Sequence, residues 1–199
     1  AQIELMRAKL KEEGNPQQLK EFEDIIHKKR SKPFFLWKMN FIDVFRRENP
    51  GFDVVIGNPP YIRIQKLDST ETKSLKSSYC VAKGKFDIYT LFYEKGFLLL
   101  RQKGMLTYIS SNSFLTQDFG EGLRTYLKEN QYASKILDFG HNQIFENAST
   151  YTLIFLGIKN KLKNVEYSRV LYGGDAEKIQ LNNFLFNNIN DYGEKFSWK

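Results

Sequence analysis

At 199 residues, 41% hydrophobic and 15% aromatic, the chain can build a globular core, which excludes a fibrous or low-complexity protein. Its formal net charge of +7 suits a polyanionic partner, although a generic basic protein carries the same balance. The single cysteine, Cys80, excludes a disulfide within the chain and fits a reducing cytoplasm; no signal-like stretch opens the sequence, and no apolar run is long enough to cross a membrane.

In chain order, residues 1–30 read as helix. Leu19, Phe22, Ile25 and Ile26 keep helical spacing, and Gly14-Asn15-Pro16 divides the segment in two. Its mixed charges read as a solvated face. A short strand is expected at 34–36, with 41–45 turning toward the next element. Residues 52–56 form the first well-marked strand, closed by Gly57. A helix with a buried face follows over 87–102, ended by Gly104, then a strand over 105–110 and a helix over 119–129. Strands over 135–139 and 151–158 are rich in β-branched and aromatic residues. Strands alternating with helices predict an α/β sheet with mostly parallel pairing.

The strand at 52–56 runs into Asn58-Pro59-Pro60-Tyr61. An exocyclic amine on an aromatic ring is a poor nucleophile because its lone pair is delocalised. Two acceptors aimed at its N–H groups draw the nitrogen toward tetrahedral geometry and free that pair. The Asn58 side-chain oxygen and the Pro59 carbonyl can be those acceptors. Pro59 biases Asn58 toward extended backbone, and neither proline brings an N–H donor, so the turn is stiff and acceptor-rich. Tyr61 supplies a flat face for a base. The plain alternative is a Pro-rich turn after a strand.

The segment from Ile62 to Lys85 reads as a cationic, Ser/Thr-containing loop. Arg63, Lys66, Lys73, Lys76, Lys83 and Lys85 stand against Asp68 and Glu71. Beside a base pocket such a loop can hold phosphates while a nucleotide leaves the stack; a solvated flexible loop has the same composition. Glu71-Thr72-Lys73 has the Glu-x-Lys form of a nuclease site, with Asp53 a conceivable partner, but its polar loop setting argues against it. His27 and His141 lack partners at metal-ligand spacing, so no metal site is predicted.

Phe-Asp-Val-Val-Ile-Gly followed by Asn-Pro-Pro-Tyr resembles motif IV of the gamma-class N6-adenine DNA methyltransferases. The resemblance continues through Lys83 to Phe92, Lys103 to Ile109, Asn112 to Leu115, Leu137-Asp138-Phe139-Gly140 to Phe145, and the strand from Tyr151 to Gly157. Lys32 to Trp37 and Val44-Phe45 resemble the long-chain type IIG restriction–modification and phage-defence subgroup. In all it covers 31–159.

The resemblance implies the C-terminal half of a Rossmann-like methyltransferase sheet that uses S-adenosylmethionine on double-stranded DNA. By position, Asn58, Pro59, Pro60 and Tyr61 are its catalytic turn, Phe145 faces Tyr61 across the flipped adenine, and Phe92 borders the cofactor's adenine. Ordinary core packing is the alternative for Phe145 and Phe92. The implied division is 1–45 helical lead-in and linker, 46–160 catalytic half, and 161–199 a connection toward a target-recognition domain, since 165–199 is Asn-rich and irregular. The family's Gly-rich cofactor turn with its following acid has no counterpart before Phe52, and Gly173-Gly174-Asp175 comes too late to serve. The cofactor half, and any nuclease domain, are therefore expected upstream, and this chain alone is expected to be inactive. Two other readings share the turn or the charge: a protein-glutamine or RNA methyltransferase, and a non-catalytic DNA-binding module.

Overall fold

A computed structural model describes residues 35–142, 144–145, 150–169 and 187–188, with scattered positions between 7 and 23. The chain forms two compact units, Ala1–Asp43 and Val44–Lys199. In the first, positions 7–8, 11–12, 16–17, 19–20 and 23 are helical, and Gly14 turns between them with φ of +64°. That matches the predicted break; Phe22, Ile25 and Ile26 lie outside the described residues. The strand expected at 34–36 is not found at Phe35 and Leu36, which are irregular. A helical turn follows instead at Trp37–Asn40 (α1), where Phe35 and Trp37 pack edge to face at 4.8 Å and Trp37 stacks on Phe41 at 5.9 Å. Local aromatic clustering overrides the β preference of these residues. A further turn, α2, spans Ile42–Phe45.

The second unit is built on a sheet ordered β1-β2-β4-β3-β5-β6. Its strands are β1 Phe52–Gly57, β2 Leu100–Ser111, β3 Ala133–Asp138, β4 Thr152–Ile158, β5 Glu166–Arg169 and β6 Asn187–Asn188. Pairings β1–β2 and β3–β5 are parallel, whereas β2–β4, β3–β4 and β5–β6 are antiparallel. The expectation of mostly parallel pairing is thus corrected. Parallel neighbours need a long crossover, usually helical, and the described residues between β3 and β4 contain no helix. The chain therefore returns antiparallel and inserts β4 between β2 and β3.

The segment predicted as a loop after Tyr61 is also corrected. It carries a ten-residue helix, α3, at Ser69–Ser78, whose N-terminus is capped by the Asp68 carboxylate accepting from the Glu71 N–H at 2.7 Å. The next helix, α4, spans Ile88–Leu99 and passes straight into β2, earlier than the boundary expected at 102. The β1–β2 register shifts from Phe52–Leu100 to Val54–Met105, and the intervening bulge holds Lys103 at φ +63°. Helix α5 covers Glu121–Asn130. The irregular character expected from 165 onward does not hold for 166–169, which pair with β3 and bury Tyr167 and Ser168. Gly173 to Asp175 lie outside the described residues.

Helices α4 and α5 share one core with the sheet. Tyr89, Tyr93 and Phe97 of α4 and Leu123 and Leu127 of α5 are buried with Leu106, Ile136, Leu153 and Phe155 from the strands. Burial of each such side chain contributes on the order of 2 kcal/mol. Gly96 makes the close packing of α4 possible, since a Cβ there would collide with Leu106 and the Tyr108 hydroxyl. The opposite pleat of β1 is bare: Val54 is 53% and Ile56 79% exposed, and among the described residues β1 pairs on one side only.

Candidate active site

Because β1 and β2 are parallel, and β2 and β3 both oppose β4, the carboxyl ends of β1, β2 and β3 lie on one edge of the sheet. Ligands of open α/β sheets bind outside that edge. Asn58-Pro59-Pro60-Tyr61 leaves β1 there, Asn112–Leu115 leaves β2, and the segment from Phe139 to Phe145 leaves β3.

Within the turn, Pro59 is buried while Asn58 and Pro60 are exposed. The Tyr61 hydroxyl donates to Asn58 Oδ1 at 2.8 Å and lies 3.4 Å from the Ile109 carbonyl of β2. Burial pushes the Tyr61 hydroxyl up from its ordinary range, so it remains a protonated donor at neutral pH. The Pro60 carbonyl accepts from the Ile62 N–H at 3.0 Å; among the described residues no backbone donor outside the sheet ladders reaches the Pro59 carbonyl. The turn thus carries an acceptor at Asn58 that is held by a displaceable hydroxyl. Tyr89 meets the Tyr61 ring edge-on at 6.4 Å and Phe114 packs beyond it at 6.5 Å, so the tyrosine stands on a buried aromatic floor.

The cationic segment is tied down at both ends. Arg63 and Asp87 form an antiparallel bridge, Ile88 N–H donates to the Ile62 carbonyl at 2.8 Å, and Ile64 N–H to Phe86 at 3.4 Å. Lys66, Lys73 and Lys76 belong to the turn and helix between these ends; Arg63, Lys66, Lys73, Lys76, Lys83 and Lys85 are all exposed. Burial raises the Asp87 carboxyl and the Arg63 charge opposes that rise. A buried Glu94 on α4 adds a second tie that sequence reading missed. It accepts from the Val81 N–H at 3.0 Å, the Cys80 N–H at 3.2 Å and the Cys80 thiol at 3.2 Å. A Glu inside an otherwise apolar helix face was the available signal.

Phe145 is half-buried on the segment after β3. Phe92 lies on α4 and is 41% exposed. An exposed aromatic there fits the edge of a cofactor's adenine, but it is a single wall, and the Gly-rich turn with its acid is not found in the sequence before β1. Asp53, once a conceivable partner of Glu71, is engaged at the start of β1 by Arg101 at 2.7 Å and Arg47 at 3.4 Å, which hold its carboxyl below its ordinary range. Glu71 lies in the first turn of α3, and none of these contacts of Asp53 involves it. His141 packs edge-on against Tyr151 at 4.8 Å. Among the described residues no group of His, Cys, Asp or Glu could hold a metal, and no helix is long and apolar enough to cross a membrane.

Residues 1–145 match the family described as Eco57I restriction-modification methylase. The chain is 41% identical over 123 residues to the type II restriction enzyme and methyltransferase RM.Eco57I of Escherichia coli, a match covering 60% of this chain and 12% of that protein. A DrdV–DNA complex shares the fold with a TM-score of 0.58 at 17% identity, over 75% of this chain and 18% of that one. A Listeria monocytogenes structure described as a class I S-adenosylmethionine-dependent methyltransferase does so with a TM-score of 0.50 at 16% identity, over 64% and 39%. The chain therefore spans well under two thirds of these relatives, and its mixed α/β sheet shares the Rossmann-like fold of class I methyltransferase structures. It belongs to the Eco57I restriction-modification methylase family.

Proposed function

We propose that this chain carries the catalytic turn of a site-specific adenine-N6 DNA methyltransferase, within a type IIG restriction–modification or phage-defence protein of the cytoplasm. The observation that carries the reading is the Asn58-Pro59-Pro60-Tyr61 turn at the carboxyl edge of the sheet, where the Asn58 side-chain oxygen accepts from Tyr61. The target adenine leaves the duplex and rests on Tyr61, with Phe145 on its other face. Its amine then replaces the Tyr61 hydroxyl at Asn58 Oδ1 and gives its second N–H to the Pro59 carbonyl. S-adenosylmethionine supplies the methyl group, and Phe92 borders its adenine. Arg63, Lys66, Lys73, Lys76, Lys83 and Lys85 hold backbone phosphates of double-stranded DNA beside the site.

Support for a cofactor half elsewhere in the same protein comes from the bare pleat and open edge of β1, where Val54 and Ile56 are exposed. In this reading the cofactor half, and any nuclease domain, precede this chain and a target-recognition domain follows it, so this chain alone does not methylate DNA. The test is to incubate DNA with the full-length protein and labelled S-adenosylmethionine, digest it to nucleosides and separate them. Label in N6-methyl-2′-deoxyadenosine is expected. Label in a methylated cytosine, or in protein rather than DNA, would overturn the assignment.

A further inference from the structure

Beside the Asn58 turn, the carboxyl ends of β2 and β3 are joined through one buried carboxylate. Asp138, 3% exposed, accepts on Oδ1 from the Asn112 side-chain amide at 2.8 Å and from the Gly140 N–H at 2.9 Å. Its Oδ2 accepts from the Tyr167 hydroxyl of β5 at 2.8 Å, with Arg169 Nε at 3.7 Å. The same Asn112 amide donates to the Gly140 carbonyl at 3.2 Å, so Gly140 is held at both of its backbone polar groups. Gly140 has φ of +60°, a turn conformation costly for other residues. A carboxylate this buried persists only with its lone pairs met, and breaking such a set leaves uncompensated charge.

The geometry points to Asp138 as a positioning residue of the methylation site: through Asn112 and Gly140 it fixes the segment that bears Phe145 relative to β2. This inference rests on the reading of the Asn58 turn given above. One wall of the proposed base pocket already leans on β2 and the turn that leaves it, because the Tyr61 hydroxyl lies by the Ile109 carbonyl and the Tyr61 ring reaches Phe114 through Tyr89. Asn112 lies between Ile109 and Phe114 in the chain and bonds to the turn that leads to the other wall. The network therefore sets the gap into which a flat base must fit. A displacement of about an ångström in such a gap can slow a reaction by about a hundredfold without touching the reacting atoms.

The test uses the full-length protein in parallel assays: a duplex with 2-aminopurine in place of the target adenine reports unstacking, and a duplex with adenine there gives single-turnover methyl transfer, beside DNA affinity and thermal melting. Asn112→Ala removes the link to β2 but leaves Asp138 two of its donors, so the fold survives. Its transfer rate is expected to fall by about tenfold or more, with a weaker 2-aminopurine signal and DNA affinity within about threefold of wild type. Asp138→Ala is expected to lose at least as much. Asp138→Asn keeps an oxygen for Gly140 and Asn112 and offers an amide to the Tyr167 oxygen, so it should recover most of that loss. Wild-type rate and signal in Asn112→Ala would overturn the role, as would lower melting temperatures with unchanged rate and signal. Asn58→Ala separates the two readings. If it still methylates, the methylation site itself is misassigned; if it is inactive while Asn112→Ala behaves as wild type, the positioning role alone falls.

Discussion

The Tyr61 hydroxyl donates a 2.8 Å hydrogen bond to the side-chain oxygen of Asn58, within the turn that ends β1. The acceptor proposed for the substrate amine is therefore satisfied by its own neighbour until a base arrives. Exchange of one hydrogen bond for another makes base entry nearly neutral at this atom, because neither state leaves the oxygen unpaired.

That arrangement separates two uses of Tyr61. Tyr61→Phe keeps the stacking ring and removes only the hydroxyl, so methyl transfer should stay within about tenfold of wild type; Tyr61→Ala removes a stacking interaction worth about 1–3 kcal/mol and should weaken capture of the flipped base far more. Single-turnover rates with 2-aminopurine fluorescence distinguish them. Equal losses in both variants would assign the hydroxyl, rather than the ring, the larger part.

The exposed lysines of the segment beside the turn predict a salt effect. Neutralising Lys73, Lys76 and Lys83 together should weaken DNA binding and reduce the slope of log affinity against log salt by about 0.9 for each phosphate the protein no longer neutralises. Titrations at several salt concentrations measure it, and an unchanged slope contradicts the phosphate-holding role.

The hidden core makes its own prediction. Tyr93 and Ser110 share a buried 2.6 Å hydrogen bond between α4 and β2. Tyr93→Phe strands the Ser110 hydroxyl and should cost about 1–3 kcal/mol, read as a lower denaturant midpoint. Adding Ser110→Ala should restore much of that loss, since both polar partners are then gone.

Cys80 gives a pH signature. Burial first, and then the Glu94 carboxylate, push its thiol up to about 11. The thiolate is the reactive form, so alkylation of the Cys80 peptide should be slow at pH 8 and climb as pH rises toward 11. Glu94→Gln removes one cause of the upward shift, which should move that climb to lower pH and speed alkylation at pH 8. A profile unmoved by the substitution contradicts the Glu94 interaction.

Legibility in the sequence followed the range of the interactions. The strand at β1 and its turn were readable because β-branched residues, Gly57, Asn58 and two prolines determine local geometry within a few positions. The helix α3 escaped notice under its polar composition, although Asp68 stands at its N-cap with Glu71 three residues on. The antiparallel β4 followed from the lack of a helical crossover after β3, which strand-by-strand pattern matching does not weigh. Least readable was the Asp138 network, whose partners Asn112 and Tyr167 lie 26 and 29 residues away in the chain. Only the folded sheet brings them to one edge.

The central claim is that Asn58 prepares an adenine amine for methyl transfer. Its most direct test is Asn58→Ala in the full-length protein, with methylation and DNA binding measured side by side on a cognate duplex. Methylation should fall by at least about a hundredfold, as for loss of one preorganised polar group in a water-poor site, while DNA affinity stays within about threefold. Methylation retained at near wild-type rate would contradict the account.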